Sequence, residues 1–325
     1  MILILSNDGD LSCDIVERWL NYYKYPWSRL NAFDILNNDI EIKINDMGRY
    51  VISIGKKMIK LEDIKAVWYR KFGFFRDSIT NQRLKETSKL DESEINHILK
   101  EFSKVMDVIL LALKDKSWLT NPFDANLNKV EVLRMAKKCG LTIPKTVVTN
   151  SLNVICSNKK LISKSILDPT IVSWDNANRS MMYTTRVTQE DMEYLPHRFF
   201  PSLLQTEVEK DFEIRTFYID GEFYSMAIFS QLDEQTKLDF RNYNWEKPNR
   251  VVPCEISAKT KQRLHNLMVQ LNLNCGSIDL IKGRNGNLYF LEINPTGQFG
   301  MIDFPCNYKL HQKVAKKLIE LDSLI

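Results

Sequence analysis

The chain is 325 residues long, enough for two or three lobes with cores of their own. With 45 Lys and Arg against 41 Asp and Glu its net charge is +4, too small to argue for a nucleic-acid partner, and no apolar run approaches the ~18 residues of a membrane span. The six cysteines (13, 139, 156, 254, 275 and 306) form no CxxC pair and Met1 leads straight into an apolar strand instead of a signal peptide, so a reduced, cytoplasmic protein is expected.

Residues 2–5 (Ile-Leu-Ile-Leu) read as a buried strand, and Asn7-Asp8-Gly9-Asp10 as a turn into a helix on which Leu11, Ile15, Trp19 and Tyr23 recur every four residues. Strand, turn and helix predict an α/β lobe, and without G-x-G-x-x-G the turn gives no ground for a dinucleotide site. Residues 40–44 and 50–54 alternate as a hairpin. Residues 66–70 read as another strand, where Trp68, Tyr69 and Arg70 either join the core or line a peptide groove. Residues 71–90 are polar and read as a surface loop with helical pieces. From 91 to 114, Ile95, Leu99, Phe102, Met106, Ile109 and Leu113 mark a long amphipathic helix, suited to packing on the sheet or on a second copy of the chain in a homodimer. His97 has no second His at i+4, so no zinc motif is expected there.

A helix over 127–139 stops at Gly140, with Lys129 on an exposed face, and Leu141-Thr-Ile-Pro144 leads into a strand over 145–149. Lys164 falls within 161–167, a strand of mainly apolar or small residues, and a half-buried ammonium there needs an anion. Either a nucleotide phosphate or an acidic neighbour supplies it. Residues 168–180 have no periodicity and read as a loop, 181–187 as a strand, and Thr188-Gln-Glu-Asp191 as a capped helix start. A strand over 203–209 follows, then strands 212–219 and 222–230 joined at Asp220-Gly221, a hairpin signal. Glu213 and Arg215 share one face of the first of these. An Arg fork suits phosphate, and the local alternative is a structural Glu–Arg pair. Residues 239–244, polar and aromatic, precede Lys247-Pro248; 259–271 reads as an amphipathic helix and 308–321 as a covering helix.

The chain is organised around 275–300, CGSIDLIKGRNGNLYFLEINPTGQFG. If Asn285-Gly286 forms a two-residue type I′ loop, Arg284 faces Asn287 and Asp279 faces Glu292 across adjacent strands. Opposed side chains on paired strands lie roughly 5 Å apart at Cβ, so like charges there are a cost that something must offset. Alternation puts Ile278, Leu280, Tyr289, Leu291 and Ile293 on an apolar face and Ser277, Asp279, Glu292 and Asn294 on the other. Such an oxygen-rich face suits a hard divalent cation such as Mg²⁺; the bland reading is an amphipathic hairpin whose acids face each other by accident.

Asp279 with Glu292-Ile293-Asn294-Pro295 resembles the metal-binding end of ATP-grasp ligases, and FLEINPTGQFG followed by FPCNY at 304–308 resembles the ATP-grasp peptide macrocyclases that mature graspetides, the microviridin-like family. The pattern N-P-F…N-x-x-K…A-x-x-x-G-L-x-I-P-x-T, from Asn121 to Thr146, resembles the start of the central ATP-grasp subdomain. The resemblance implies an ATP-grasp fold, α/β and α+β: an N-terminal pre-ATP-grasp α/β domain over 1–118, a central subdomain over 119–201 and a C-terminal antiparallel-sheet subdomain over 202–325. It implies ATP and a pair of Mg²⁺ ions as cofactors, with metal ligands Asp279, Glu292 and Asn294. Lys129 and Lys164 would lie near the phosphates, Gln205, Glu207 and Val208 at adenine mostly through the backbone, and Glu213 with Arg215 matches a D/E-x-R motif of the nucleotide site. Catalytic roles fall to Arg215 and to Arg241, which would hold an acceptor carboxylate; Arg179, Arg186 and Asp239 would contact the peptide. The implied partner is a ribosomal precursor peptide, leader plus core, with neither nucleic acid nor membrane involved. The implied activity converts Asp or Glu side chains of that peptide to acyl phosphates, captured by Ser/Thr hydroxyls or Lys amines as ω-ester or ω-amide macrocycles. The alternative is an ATP-grasp ligase adding an amino acid to a peptide or protein carboxylate.

Overall fold

The computed structural model describes the chain except residues 38–39, 55–56, 60, 73–89, 157–159, 168–170, 174–178, 182–183 and 325. Most of the polar stretch expected as a surface loop, 73–89, therefore lies outside the described residues. Two compact units emerge, one of Met1–Ala125, Gln298–Asp303 and Lys309–Ile325, the other of Asn126–Gly297 and Phe304–Tyr308.

The first unit is built on a parallel sheet ordered Trp27–Asn31, Ile2–Ser6, Ala66–Tyr69, Ser117–Leu119. Every residue of Ile2–Ser6 is buried, as a strand covered on both faces requires. The Asp10 carboxylate caps the Leu11–Tyr22 helix, accepting from the backbone N–H of Ser12 at 3.0 Å and Cys13 at 3.4 Å. The helix Glu92–Ala112 starts with a reciprocal capping box between Asp91 and Glu94. Trp68 and Arg70 are only 1% and 2% exposed, so they belong to the core and present no groove. Arg70 pairs with Asp10 at 3.2 Å and lies 5.6 Å from the Trp68 and Phe299 ring centroids. The last helix, Leu310–Ser323, is tied into this unit at both ends. Asp303 accepts from the backbone of Leu310 and His311, and Asp322 from the Ala66 amide and the Met1 ammonium. Among the described residues no helix is long and apolar enough to cross a membrane.

The second unit is built on a four-stranded and a five-stranded antiparallel sheet. One is ordered Thr185–Arg186, Leu161–Lys164, Arg198–Thr206, Thr146–Ser151; the other Arg250–Cys254, Glu222–Phe229, Lys210–Ile219, Cys275–Gly283, Leu288–Asn294. The strand expected over 203–209 stops at Thr206, so Glu207, Val208 and Glu209 form the connection between the two sheets. Within the stretch read as a loop, Ile171–Ser173 and Arg179–Met181 pair antiparallel. The helices Lys129–Lys138 and Ala258–Gln270, capped by Asn128 and Ser257, bury Val132, Leu133, Ala136, Leu264, Leu267 and Met268 against the larger sheet.

At Asp220-Gly221 the expected two-residue turn forms, both residues having positive φ (45° and 91°) and Ile219 pairing with Glu222. The Asn285-Gly286 turn differs. Only Gly286 has positive φ (82°); its N–H donates to Gly283, while the Gly283 N–H donates to Asn287, which makes a three-residue loop. Such a loop spares Asn285 the left-handed region and places Gly where a side chain is disfavoured. Taken alone it would slip the register by one residue. A bulge at Leu291 restores it, because Leu280 pairs with Phe290 while Asp279 pairs with Glu292 and Ser277 with Asn294. The opposed acids are thus present as expected, reached by a different route. Between loop and bulge the faces are exchanged: Phe290, 1% exposed, joins the core, while Tyr289 and Leu291 leave the face predicted for them. Burying Phe instead of Tyr hides a large apolar ring without a hydroxyl in need of a partner.

This register predicts that Phe290→Ala destabilises the chain by about 3–5 kcal/mol and Leu291→Ala by about 1 kcal/mol or less, read as shifts in urea-unfolding midpoints. A larger loss at Leu291 than at Phe290 would put Leu291 on the core face and remove the bulge.

Candidate active site

The paired acids open onto a cleft in the second unit. Arg215, on the strand next to Asp279, directs Nη1 at both Asp279 carboxylate oxygens at 3.0 Å. Glu292 faces a different set: Lys129 Nζ lies at 3.6 Å, Arg241 Nη1 at 3.8 Å, and Lys164 acts on it through space. Each acid therefore has its own cations, so protein side chains offset the cost anticipated from their opposition. Burial and the neighbouring Glu292 push the Asp279 carboxyl above its ordinary range despite Arg215. Glu292 is also desolvated, but Lys164, Lys129 and Arg241 outweigh that and hold it below the ordinary range.

Arg241 is itself oriented from below. Asp239, 7% exposed, accepts from Arg241 Nε at 2.9 Å and Nη2 at 2.7 Å, from the Arg241 amide at 3.1 Å and from the Thr184 amide at 3.3 Å. These bonds and the Arg241 charge outweigh burial and keep the Asp239 carboxyl ionised, while Asp239 and Glu292 hold Arg241 in its charged form. Asp239, expected at the peptide, holds the Arg241 guanidinium in place. It also takes one edge of the guanidinium, leaving Nη1 to point at Glu292.

Lys129 Nζ donates to the carbonyls of Ser165 and Leu167 at 3.3 and 2.9 Å, which brings its helix to the end of the Leu161–Lys164 strand. Expected on an exposed face, its side chain is 17% exposed. Among the described residues no carboxylate pairs directly with Lys164; burial lowers its pKa and Glu292 only partly opposes that.

Away from the acids the cleft is lined by Gln205, Glu207, Val208 and Glu213. Thr146 Oγ1 gives its proton to the Pro144 carbonyl at 2.9 Å and so accepts from Gln205 Nε2 at 3.0 Å, which fixes the orientation of the amide. Glu213 is buried with Lys210 and with Ser230, whose Oγ donates to it at 2.8 Å; Lys210 also reaches the Leu238 carbonyl at 2.9 Å. Burial still raises the Glu213 carboxyl above its ordinary range. Arg186 forks onto Glu207 at 2.7–3.1 Å.

Of the residues singled out in the sequence, Lys164, Arg186, Gln205, Glu207, Val208, Glu213, Asp239, Arg241, Asp279 and Glu292 line this one cleft. Lys129 and Arg215 join it through their ion pairs. Asn294 lies two residues along from Glu292, with its Oδ1 accepting from the Thr296 amide at 3.1 Å. Arg179 starts a short strand, and its side chain lies outside the described residues. Sequence reading missed Lys210, Ser230 and Thr184. Lys210 starts the strand that carries Glu213 and Ser230 follows the neighbouring strand, while Thr184 contributes only a backbone N–H, which carries no residue signature. Two carboxylates and an amide oxygen are hard donors that fit Mg²⁺. Among the described residues no three His, Cys, Asp or Glu side chains group into a cage, so such an ion would complete its shell with water and phosphate oxygens.

No protein-family model and no curated protein sequence matches the chain. Solved structures do. A RiPP-associated ATP-grasp ligase from Chryseobacterium gregarium, in complex with ADP and a leader and core peptide, is 24% identical over 98% of this chain and 96% of its own, with a TM-score of 0.85. The macrocyclase MdnC from Microcystis aeruginosa MRC, bound with precursor peptide MdnA, is 20% identical over 98% and 100%, with a TM-score of 0.82. The ATP-grasp ligase PsnB, complexed with a phosphomimetic variant of minimal precursor, Mg and ADP, is 17% identical over 99% and 98%, with a TM-score of 0.79. The chain has the ATP-grasp fold. In the ATP-grasp fold of this chain the charged cleft lies between the two sheets of the second unit.

Two outcomes follow from this geometry. Because its pKa is lowered, Lys164 makes the folded chain bind fewer protons than the unfolded one, a penalty fully present below the folded pKa and relieved as pH rises toward the ordinary value of 10.5. Lys164→Met should therefore raise the ligand-free melting temperature by a few degrees at neutral pH, with the gain shrinking in alkaline buffer, as calorimetry across pH would record. At Gly297 an added Cβ would lie 2.6 Å from Ser277 Cβ and 3.1 Å from the Asn294 carbonyl oxygen. Gly297→Ala should thus displace the turn carrying Asn294, visible as altered amide shifts at 294–297; an unchanged spectrum would refute the tight approach.

Proposed function

We propose that the chain is an ATP-dependent, ADP-forming carboxylate ligase that closes macrocycles in a ribosomal precursor peptide. The observation that carries this reading is the cleft itself: Asp279 and Glu292, side by side, ringed by Lys129, Lys164, Arg215 and Arg241, on an ATP-grasp fold. The similar structures are of proteins bound with precursor peptide, with ADP, or with Mg and ADP, which supports the same ligands here. The cysteine pattern supports a cytoplasmic setting, and Ile98 and Leu111, exposed on the long helix, support pairing with a second copy.

Asp279, Glu292 and Asn294 would hold a pair of Mg²⁺ ions against the ATP phosphates. Bound there, the ions supply charge neutralisation and alignment for phosphoryl transfer. The chain's own cations do the rest. Lys129 and Lys164 counter the phosphate charge, and Lys164, already desolvated, gains the anion it lacks. Arg215, freed from Asp279 once a cation takes its place, can follow the charge that develops on the transferred phosphoryl group. At the other end the Glu207 amide is taken by the Lys160 carbonyl at 2.7 Å, so a backbone N–H for adenine has to come from Val208, beside Gln205. Glu213, kept in place by Lys210 and Ser230, is assigned to the nucleotide site. Arg241 Nη1 attracts a peptide carboxylate, Arg186 lies at the rim for peptide contact, and Arg179 belongs to the hairpin assigned to the same partner.

An oxygen of an Asp or Glu side chain attacks the γ-phosphorus and ADP leaves with the electron pair of the broken bond. A Ser/Thr hydroxyl or Lys amine of the same peptide then attacks the acyl carbon, losing its proton as phosphate departs. Each ring costs the peptide one water.

Asp279→Asn and Glu292→Gln should each cut peptide-dependent ADP release by roughly a hundredfold or more, and Lys164→Met should weaken ATP binding roughly tenfold to a hundredfold by calorimetry. Mass spectrometry of the reacted precursor should show loss of one water per ring. A gain of a residue mass would instead establish ligation of a free amino acid, and full ADP release by both acid variants would end the metal assignment.

A further inference from the structure

The loop between the Glu222–Phe229 and Arg250–Cys254 strands carries Arg241 and then rises into solvent. It is pinned along its length. Gln235 Nε2 bonds the Tyr243 carbonyl at 2.8 Å, Asn242 Nδ2 the Gln235 carbonyl at 3.1 Å, Asn244 Nδ2 the Asp233 carboxylate at 2.7 Å, and Thr236 Oγ1 the Asn249 amide oxygen at 3.0 Å. On this ordered loop three aromatic rings form a ladder. Phe240 is buried, Tyr243 meets it edge-on at 6.4 Å between centroids, and Trp245 lies 5.8 Å beyond Tyr243. The inner end is electrostatic: the Tyr243 phenol feels Arg215, Asp279, Arg241 and Asp239. The outer end is bare, with Trp245 88% exposed. Leu232, 83% exposed, adjoins Asp233 on the opposite limb.

An indole held out in water by a loop this well tied is a cost that folding does not explain, and Trp and Tyr beside Arg are the residue types that anchor recognition surfaces. Cationic at one end and aromatic at the other, the ladder is complementary to a peptide with a carboxylate at one position and a large apolar side chain a short way along. Arg241 and Trp245 are four residues apart on one loop, so their Cα atoms lie at most about 13 Å apart, a span that an extended peptide advancing about 3.3 Å per residue covers in roughly two to four residues.

We infer that Tyr243 and Trp245 form a specificity subsite for the peptide substrate, selecting carboxylates flanked at roughly two to four residues by an aromatic or large aliphatic side chain. This inference rests on the ligase reading for the identity of the occupant.

The test uses short fluorescein-labelled peptides of Thr, Ser and Gly with one Glu, bearing Phe, Leu or Ala at the stated spacing on either side, and the full chain with ATP and Mg²⁺. Anisotropy should show the Phe and Leu peptides binding roughly threefold to tenfold tighter than the Ala peptide. Trp245→Ala should erase that preference, and Trp245→Phe should keep most of it. In turnover the change should fall on KM for the Phe peptide. Equal binding of the three peptides, a preference that survives Trp245→Ala, or no binding of any peptide would overturn the subsite. A Trp245-dependent binding preference without peptide-stimulated ADP release would keep the subsite and overturn the ligase reading; ADP release without preference would do the reverse.

Discussion

The opposition of Asp279 and Glu292 governs the architecture around it. Two carboxylates on adjacent strands repel each other, and removing them from water makes the repulsion worse, so the fold must bring cations to them from several directions. It does so with one element per cation. Arg215 comes from the neighbouring strand, Lys129 from the first turn of a helix, Lys164 from the smaller sheet and Arg241 from the long loop. Side chains that start so far apart can converge only if both sheets and the helix are held in register. The packed core of Ile278, Leu280, Phe290 and Ile293 against the two helices supplies that constraint. Packing and electrostatics are therefore two sides of one arrangement, since the residues that alternate with the core residues are the ones that carry the charge.

The balance is asymmetric. Around the opposed acids, Asp279, Glu292 and Asp239 meet Lys129, Lys164, Arg215 and Arg241, and the two opposed acids are shifted in opposite directions, Asp279 up and Glu292 down. Glu292 sits in the field of all four cations, whereas Asp279 is paired with Arg215 and otherwise feels only Arg241 among them. The excess positive charge accumulates on the Glu292 side, next to the desolvated Lys164. A polyanion would meet most of its counter-charge there before any metal is considered. The same excess lowers Glu292 even at close range to Asp279.

Much of this was readable in the chain. The alternation of 277–283 and 288–294, the two hairpin dipeptides and the acids themselves point to two carboxylates on one face of a sheet, and of the cations singled out elsewhere Lys129, Lys164, Arg215 and Arg241 converge on them. What was not readable was the path. A two-residue loop and a three-residue loop compensated by a bulge give the same pairing at Asp279 and Glu292 but opposite faces for Phe290 and Leu291, and local sequence does not separate them. The choice falls to burial, which depends on what the other helices and strands present to that face. The same limit applies to Arg70: a strand-end Trp-Tyr-Arg triplet is compatible with a groove until Asp10 is seen to pair with it in the core. Asp239 shows the third kind of limit, because its role is set by a backbone N–H from Thr184 and the side chain of Arg241, only one of which is visible as a residue type.

Arg215 links resting state and reaction. Its Nη1 is equidistant from the two Asp279 oxygens, so the guanidinium occupies the position a divalent cation would take on that carboxylate. On the ligase reading, a cation held by Asp279 would compete with Arg215 for that carboxylate. The released guanidinium would then find the phosphates within the same cleft. The pairing that keeps Asp279 tolerable when buried would, on that reading, be the one exchanged on binding. Such an exchange would set a divalent charge against Asp279 in place of a single one and would give the Lys164 ammonium a partner it otherwise lacks among the described residues. A cleft built this way binds an anion and a cation together more readily than either alone, since each relieves a constraint that the other would leave in place.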